Sequence, residues 1–126
     1  MVKIEFKEVP VELIQPDDSN PNKMSKRQFE ALKKSIKKFG FIVPVVVNKD
    51  LVIADGFHRW KAAMELDMDS VYCVVCDVSD VDRRLIRQVM NKLRGSHDDS
   101  LDFEEFKFFD ESGVLDELTG KKAVKL

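Results

Sequence analysis

The stretch that most constrains the fold of this chain is VIADGFHRWKAAMELD, residues 52–67. It begins as an apolar strand, breaks at Asp55-Gly56 and continues with the periodicity of a helix. A helix that starts directly after a strand and a glycine leaves backbone N–H groups free in its first turn, a geometry that binds phosphate. First turns favour acidic side chains, yet this one carries His58 and Arg59. An anion bound at the turn would reconcile the two observations.

The side chains of this turn support the same interpretation. Gly56 lets the backbone approach a ligand closely, and Arg59 supplies a planar fork that matches phosphate oxygens. The alternative is a tight turn in which Arg59 pairs with a carboxylate such as Asp55. The Gly-x-His-Arg pattern alone does not separate the two interpretations.

A second group of polar residues lies in MNKLRGSHDD, residues 90–99, where Asn91, Arg94 and His97 close an otherwise apolar helix. Arg94 is a candidate second phosphate contact. The side-chain carbonyl of Asn91 is a candidate ligand or supporting group for Mg²⁺. The alternative is helix C-capping, because an arginine is favourable near a helix C-terminus and Gly95 can adopt the left-handed conformation.

The bulk properties describe an ordinary globular domain. The 126 residues are enough for one domain with a buried core, which we expect to span 1–126, with a C-terminal helix and tail at 101–126. The net charge of −2 excludes a global basic field for nucleic acid. No apolar run is long enough for a membrane span, so we expect no membrane partner and a cytoplasmic location. The sequence ends without a clear stop, and a continuation into a longer protein stays open.

The residue pattern predicts an α/β (α+β) fold with a small mixed sheet and surrounding helices. Residues 2–9 alternate, which predicts a half-buried strand with Val2, Ile4 and Phe6 on one face. Ser25 and Gln28 form a predicted capping box for a helix that ends at Gly40.

Further elements follow in the second half. PVVVN and LVIA predict a hairpin, followed by a helix at 57–66 and a strand at VYCVV. A helix is predicted over 81–93, and Asp102 with Glu105 predicts a last helix that ends at Gly113. Cys73 and Cys76 lie three apart on a strand, on opposite faces and without a second cysteine pair, so we predict buried packing rather than a zinc or redox site.

The helix after Ser25 carries a basic face. Two interpretations stay open for it: an ordinary solvated helix face, or a surface that contacts nucleic-acid phosphates. Its cations are Lys26, Arg27, Lys33, Lys34, Lys37 and Lys38.

Several of these stretches resemble one known family in order and spacing. IQPDDSNPN resembles its Asn-Pro loop, and FEALKKSIKKFGFIVPVVV resembles its Ser-Ile helix, which is followed by Gly and a Pro-led strand. DGFHRWKAA resembles its Gly-x-x-Arg-x-x-Ala box, and MNKLR resembles its Glu-Asn-x-x-Arg box. From about residue 14 to residue 101 the chain thus resembles the ParB/sulfiredoxin-like superfamily, specifically the ParB-type N-terminal domain.

The resemblance implies a nucleotide pocket for CTP or ATP with Mg²⁺. It implies that the first box binds the triphosphate and that Asn91 and Arg94 help to hold phosphate and Mg²⁺. It also implies a DNA-associated role such as partition or transcription regulation, with a homodimer as a further expectation. DNA contacts would come from Lys33, Lys34, Lys37 and Lys38. The residues expected to bind the nucleotide are Gly56, Phe57, His58, Arg59, Asn91 and Arg94.

Enzymatic activity is left open by the departures from the family pattern. Met90 stands where members carry a Glu linked to metal handling and hydrolysis, which favours a binding module. DGFHR also resembles the Asp-Gly-His-His-Arg of free serine kinases, and in a kinase Asp55 or Glu30 would be the candidate base, with His58 beside the phosphates. NTPase turnover and the nuclease activity commonly ascribed to the family are further alternatives.

Overall fold

The computed structural model describes residues 1–17 and 23–94, with Arg94 described by its backbone alone. A short 3-10 turn at Val11–Leu13 follows the first strand. The strands and helices are β1 (Ile4–Pro10), α1 (Lys26–Phe39), β2 (Val45–Asn48), β3 (Ile53–Asp55), α2 (Phe57–Glu65), β4 (Ser70–Cys76) and α3 (Asp80–Arg94).

The four strands form one sheet in the order β1-β4-β2-β3. β1 runs antiparallel to β4, β4 runs parallel to β2, and β2 runs antiparallel to β3. The predicted mixed sheet is therefore confirmed, as are the helices predicted before, between and after its strands. The last predicted helix, from Asp102 to Gly113, lies outside the described residues.

Helix α1 begins and ends as its sequence predicts. The Ser25 hydroxyl accepts from the Gln28 backbone N–H at 3.1 Å, and the Gln28 side chain accepts from the Ser25 N–H at 3.3 Å. At the other end Gly40 has φ 87° and its N–H donates to the Ile36 carbonyl at 2.8 Å. The capping box and the glycine stop are confirmed.

The predicted hairpin of β2 and β3 is confirmed, and one asparagine fixes its turn. Asn48 is 1% exposed. Its side-chain oxygen accepts from the backbone N–H groups of Asp50 and Val52, both at 3.0 Å. A buried side chain that bonds two turn N–H groups stabilises the turn and fixes where β3 begins.

The core lies between one face of the sheet and helix α2. Val45 and Val47 of β2 are fully buried, and so is Cys73 of β4. The indole of Trp60 packs in this cluster and donates to the Val11 carbonyl at 2.9 Å. Both cysteines are free and buried, as predicted. Burial raises the pKa of the Cys73 thiol to about 11, so it stays protonated at neutral pH.

The predicted burial of the first strand was wrong. Ile4 and Phe6 are 60% and 65% exposed, and Val9 is the buried residue of β1. The reason is the register, which places Val9 opposite Val71 and Lys7 opposite Cys73, so the odd-numbered face turns towards the core. Alternation shows which residues share a face but not which face is covered.

Helix α3 is present as predicted, with its apolar stripe turned outward. Leu85 and Leu93 are 58% and 74% exposed, whereas Arg83 is 2% exposed and packs over the end of β3. Of the helices in the described part of the chain, none is both long enough and apolar enough to span a membrane.

Candidate functional site

The junction between β3 and α2 is built around a glycine that no other residue replaces without strain. Gly56 has φ 106° and ψ 25° and forms the N-cap of α2. A Cβ added there would lie 2.8 Å from the Arg59 Nη2 atom and 3.3 Å from the Val45 Cα atom. A side chain at this position would collide with the arginine and would be tightly packed against the backbone of β2.

Arg59 is bound into this junction by three contacts. Its Nε donates to the Val43 carbonyl at 3.1 Å, and its Nη2 donates to the Pro44 carbonyl at 3.0 Å. Nη2 also pairs with Asp55 Oδ2 at 3.3 Å, so the ion pair weighed as an alternative does form. The side chain is 20% exposed. The guanidinium thus ties α2 to the segment that leads into β2.

A cavity of about 360 Å³ opens beside the junction. The residues predicted from the first stretch and Asn91 from the second line the same cavity, because α3 crosses the end of β3. The lining is formed by Asp17, Lys23, Met24, Leu32, Ile53, Ala54, Asp55, Gly56, Phe57, His58, Arg59, Arg87 and Asn91.

Sequence reasoning missed a charged cluster in one wall of this cavity. Asp17 Oδ2 accepts from Arg83 Nη1 at 3.0 Å and also accepts from Arg87 Nη1. Arg83 further donates to the Ile53 carbonyl at 2.9 Å and to Asp80 Oδ1 at 2.8 Å. The signal was the four-residue spacing of Arg83, Arg87 and Asn91, which places the three on one side of α3.

His58 lines the cavity, in surroundings that disfavour its protonated form. Its pKa is lowered from the ordinary value of about 6.5, first by burial and then by the positive charge of Lys61. The Phe57 ring meets the imidazole edge-on, with 5.2 Å between the ring centroids. A neutral imidazole can donate one hydrogen bond to an anion, and an anion nearby would favour its protonation.

Two predicted residues lie outside the cavity, where they pair with each other. Lys33 Nζ contacts Glu30 Oε1 at 3.2 Å and Glu65 Oε1 at 3.3 Å, and its side chain is 19% exposed. These hydrogen bonds raise the pKa of Lys33. Lys33 therefore fastens α1 to α2, while Lys34, Lys37 and Lys38 stay on the exposed face.

The remaining predicted positions concern phosphate and metal binding. Arg94 is the last residue of α3, one turn beyond Met90, and His97 lies outside the described residues. Within 1–17 and 23–94, no group of three or more His, Cys, Asp or Glu side chains is placed to hold a metal ion.

The mixed sheet with α2 following β3 defines a ParB/sulfiredoxin-like fold. The fold matches that of the C-terminally truncated chromosome-partitioning protein ParB from Caulobacter crescentus, solved in complex with CTP-gamma-S. The TM-score is 0.71 at 22% identity, over 94% of this chain and 73% of that one. The family model of the ParB N-terminal domain matches residues 2–91. The chain belongs to the ParB N-terminal domain family.

Two curated relatives are longer than this chain. It is 27% identical to the uncharacterized protein YbdM of Escherichia coli, over 93% of this chain and 65% of that protein. It is 35% identical to a probable chromosome-partitioning protein ParB of Pseudomonas putida, over 63% of this chain and 30% of that protein. The chain thus spans about a third to two thirds of the length of these relatives.

The contact between Gly56 and Arg59 predicts a coupled effect on stability. Gly56→Ala should lower the free energy of unfolding by about 1–3 kcal/mol, because a left-handed backbone is forced on a side chain that also meets the guanidinium. In an Arg59→Met background the loss should shrink by at least about 0.5 kcal/mol, because the colliding atoms are gone. Urea unfolding of the four proteins measures the coupling. Equal losses in both backgrounds would show that the arginine does not cause the strain.

The environment of His58 predicts a pH dependence of stability. Because folding lowers its pKa, the unfolded chain binds more protons below about pH 6.5 than the folded protein does. The stability present above that pH should therefore fall as the pH drops from 7.5 to 5.0. His58→Gln should flatten this decline, as measured by urea midpoints across the range. His97→Gln removes the other histidine of the chain and serves as control; if it flattens the decline equally, the assignment to His58 is wrong.

Proposed function

We propose that this domain binds a nucleoside triphosphate, CTP or ATP, together with Mg²⁺, and acts in a DNA-associated role such as partition or transcription regulation. One observation carries the proposal: Gly56, His58 and Arg59 of the first stretch and Asn91 of the second line one cavity. A ParB of the same fold has been solved with CTP-gamma-S. The phosphate chain would lie against the first turn of α2 and reach across to α3.

The donors at the α2 end suit a phosphate chain. The first N–H groups of a helix have no partner within the helix, and the helix dipole favours negative charge there. Gly56 allows α2 to begin directly after β3, and the Arg59 guanidinium lies beside this turn. His58 adds a further donor in the same turn. A cavity of about 360 Å³ falls within the usual range of small-molecule pockets.

The α3 side of the cavity offers groups for the proposed Mg²⁺ ion and for a further phosphate contact. Asn91 lines the cavity, and in this proposal its side-chain oxygen supports Mg²⁺. Magnesium binds oxygen ligands and commonly takes most of them from phosphates and water, so few protein ligands are needed. Arg94 is proposed as a further phosphate contact from the end of the same helix.

We propose a binding module rather than a phosphoryl-transfer enzyme. Glu30 and Asp55, the two candidate bases, are each paired with a cation: Glu30 with Lys33 and Asp55 with Arg59. Of the two, Glu30 also lies outside the lining of the cavity in which a substrate would bind. In a binding module, nucleotide occupancy would control association with DNA or with a second copy of the chain as a homodimer.

The proposed ligand predicts a measurable affinity that depends on Asn91. Titration calorimetry with CTP, ATP, ADP and GTP, with and without Mg²⁺, should give binding of a triphosphate tighter than about 1 mM, or roughly −4 kcal/mol. Asn91→Ala should weaken binding in Mg²⁺ by about 1 kcal/mol. Gln88→Ala, an exposed amide on the same helix, is the matched control. Failure of all four nucleotides to bind would refute the proposal.

The exposed lysines of α1 predict a local, salt-dependent contact with DNA. If Lys34, Lys37 and Lys38 each meet a phosphate, log K should fall with log salt at a slope of about −2.7 on random-sequence duplex. Changing all three to Gln should abolish that slope in fluorescence anisotropy. The same change at Lys3, Lys7 and Lys49, which are exposed elsewhere, should leave the slope intact. Equal losses from both triple variants would point to a general charge effect.

A further inference from the structure

Two arginines on one side of α3 share the Asp17 carboxylate, and they differ in how far their side chains are exposed. Arg83 is 3% exposed in its side chain and contacts Asp17, Asp80 and the Ile53 carbonyl. Arg87 is 16% exposed, accompanies Arg83 on Asp17 Oδ2, and also lines the cavity. Arg83 is thus the buried anchor of the cluster, and Arg87 faces the site.

We propose that Arg87 is a phosphate-binding residue of this cavity and that the ligand's phosphate replaces the Asp17 carboxylate on it. The inference rests on the proposed nucleotide function and names a contact outside the two sequence boxes. In the protein without ligand, Asp17 holds the guanidinium at the cavity wall. With ligand, the guanidinium exchanges one anionic partner for another.

After the exchange the buried Asp17 carboxylate is still paired with a cation. Asp17 keeps Arg83 as its partner at 3.0 Å when Arg87 turns away. The backbone beside Asp17 also stays in place, because Gln15 donates to the Leu51 carbonyl and accepts from the Ile53 N–H, both at 2.9 Å. The exchange moves the Arg87 side chain, which keeps a charge-assisted contact before and after it.

The spacing along α3 places Arg87 where a phosphate chain would pass. Arg87 lies one helical turn before Asn91, on the same side of the helix. Both residues line the same cavity as His58 in the first turn of α2. The guanidinium fork matches phosphate oxygens in two-point contacts, which a lysine at this position would not reproduce.

The test compares Arg87→Gln with Arg84→Gln. Both variants remove one positive charge from α3, but Arg84 is 62% exposed and pairs with Asp80. Titration calorimetry uses CTP and inorganic tripolyphosphate, first without Mg²⁺ and then with it. Arg87→Gln should weaken both ligands about tenfold or more, and Arg84→Gln by less than about twofold.

Tripolyphosphate lacks a base and a sugar, so a loss seen with it places the contact on the phosphate chain. Thermal unfolding without ligand checks that both variants remain folded. Arg87→Lys should recover only part of the affinity, because it keeps the charge and loses the fork.

The outcomes separate this inference from the function on which it rests. If the unmodified protein binds neither CTP, ATP, ADP nor GTP, the proposed function fails and this contact fails with it. If it binds them and Arg87→Gln, folded, binds equally well, the function stands and the role of Arg87 is refuted. Equal weakening by Arg84→Gln would also refute it, because the effect would then be one of overall charge.

Discussion

The guanidinium of Arg59 holds together the segments that form one wall of the cavity. It binds two carbonyls of the chain entering β2 and the carboxylate that ends β3, although it belongs to α2. These contacts require Gly56, because any Cβ there would meet the arginine at 2.8 Å. The strand end, the glycine and the arginine therefore form a single unit, and the free N–H groups of α2 are oriented by it.

A second arginine–aspartate cluster contributes Asp17 and Arg87 to the lining of the same cavity. Removing charges from water costs free energy, and a buried ion pair offsets that cost only when its remaining hydrogen bonds are satisfied. Arg83 meets this condition with two carboxylates and a carbonyl. The two groups of residues thus present cations whose positions are already fixed by aspartates, Arg59 by Asp55 and Arg87 by Asp17.

Short sequence patterns correctly predicted the features whose contacting residues lie close together along the chain. The capping box at Ser25, the stop at Gly40, the hairpin and the turn at Gly56 each depend on residues within a few positions of one another, and all were predictable. The burial of β1 was not, because it depends on the register against β4, which a single strand does not encode. In the site, Asp55 to Arg59 were found as one contiguous motif. Asp17 and Arg87 are 70 residues apart, and only the folded chain brings them together.

The orientation of α3 explains why the cluster of Asp17, Arg83 and Arg87 was not predicted from the sequence. Amphipathic helices usually bury their apolar stripe, and the recurrence of Leu85, Val89 and Leu93 drew attention to that stripe. In the structure these three side chains are exposed, and the side with Arg83 and Arg87 packs over β3 and the cavity. Burying charged side chains costs free energy unless they are paired and hydrogen-bonded. That cost is offset here by the contacts of Arg83 with Asp17, Asp80 and the Ile53 carbonyl, and the resulting orientation places Arg87 and Asn91 in the lining of the cavity.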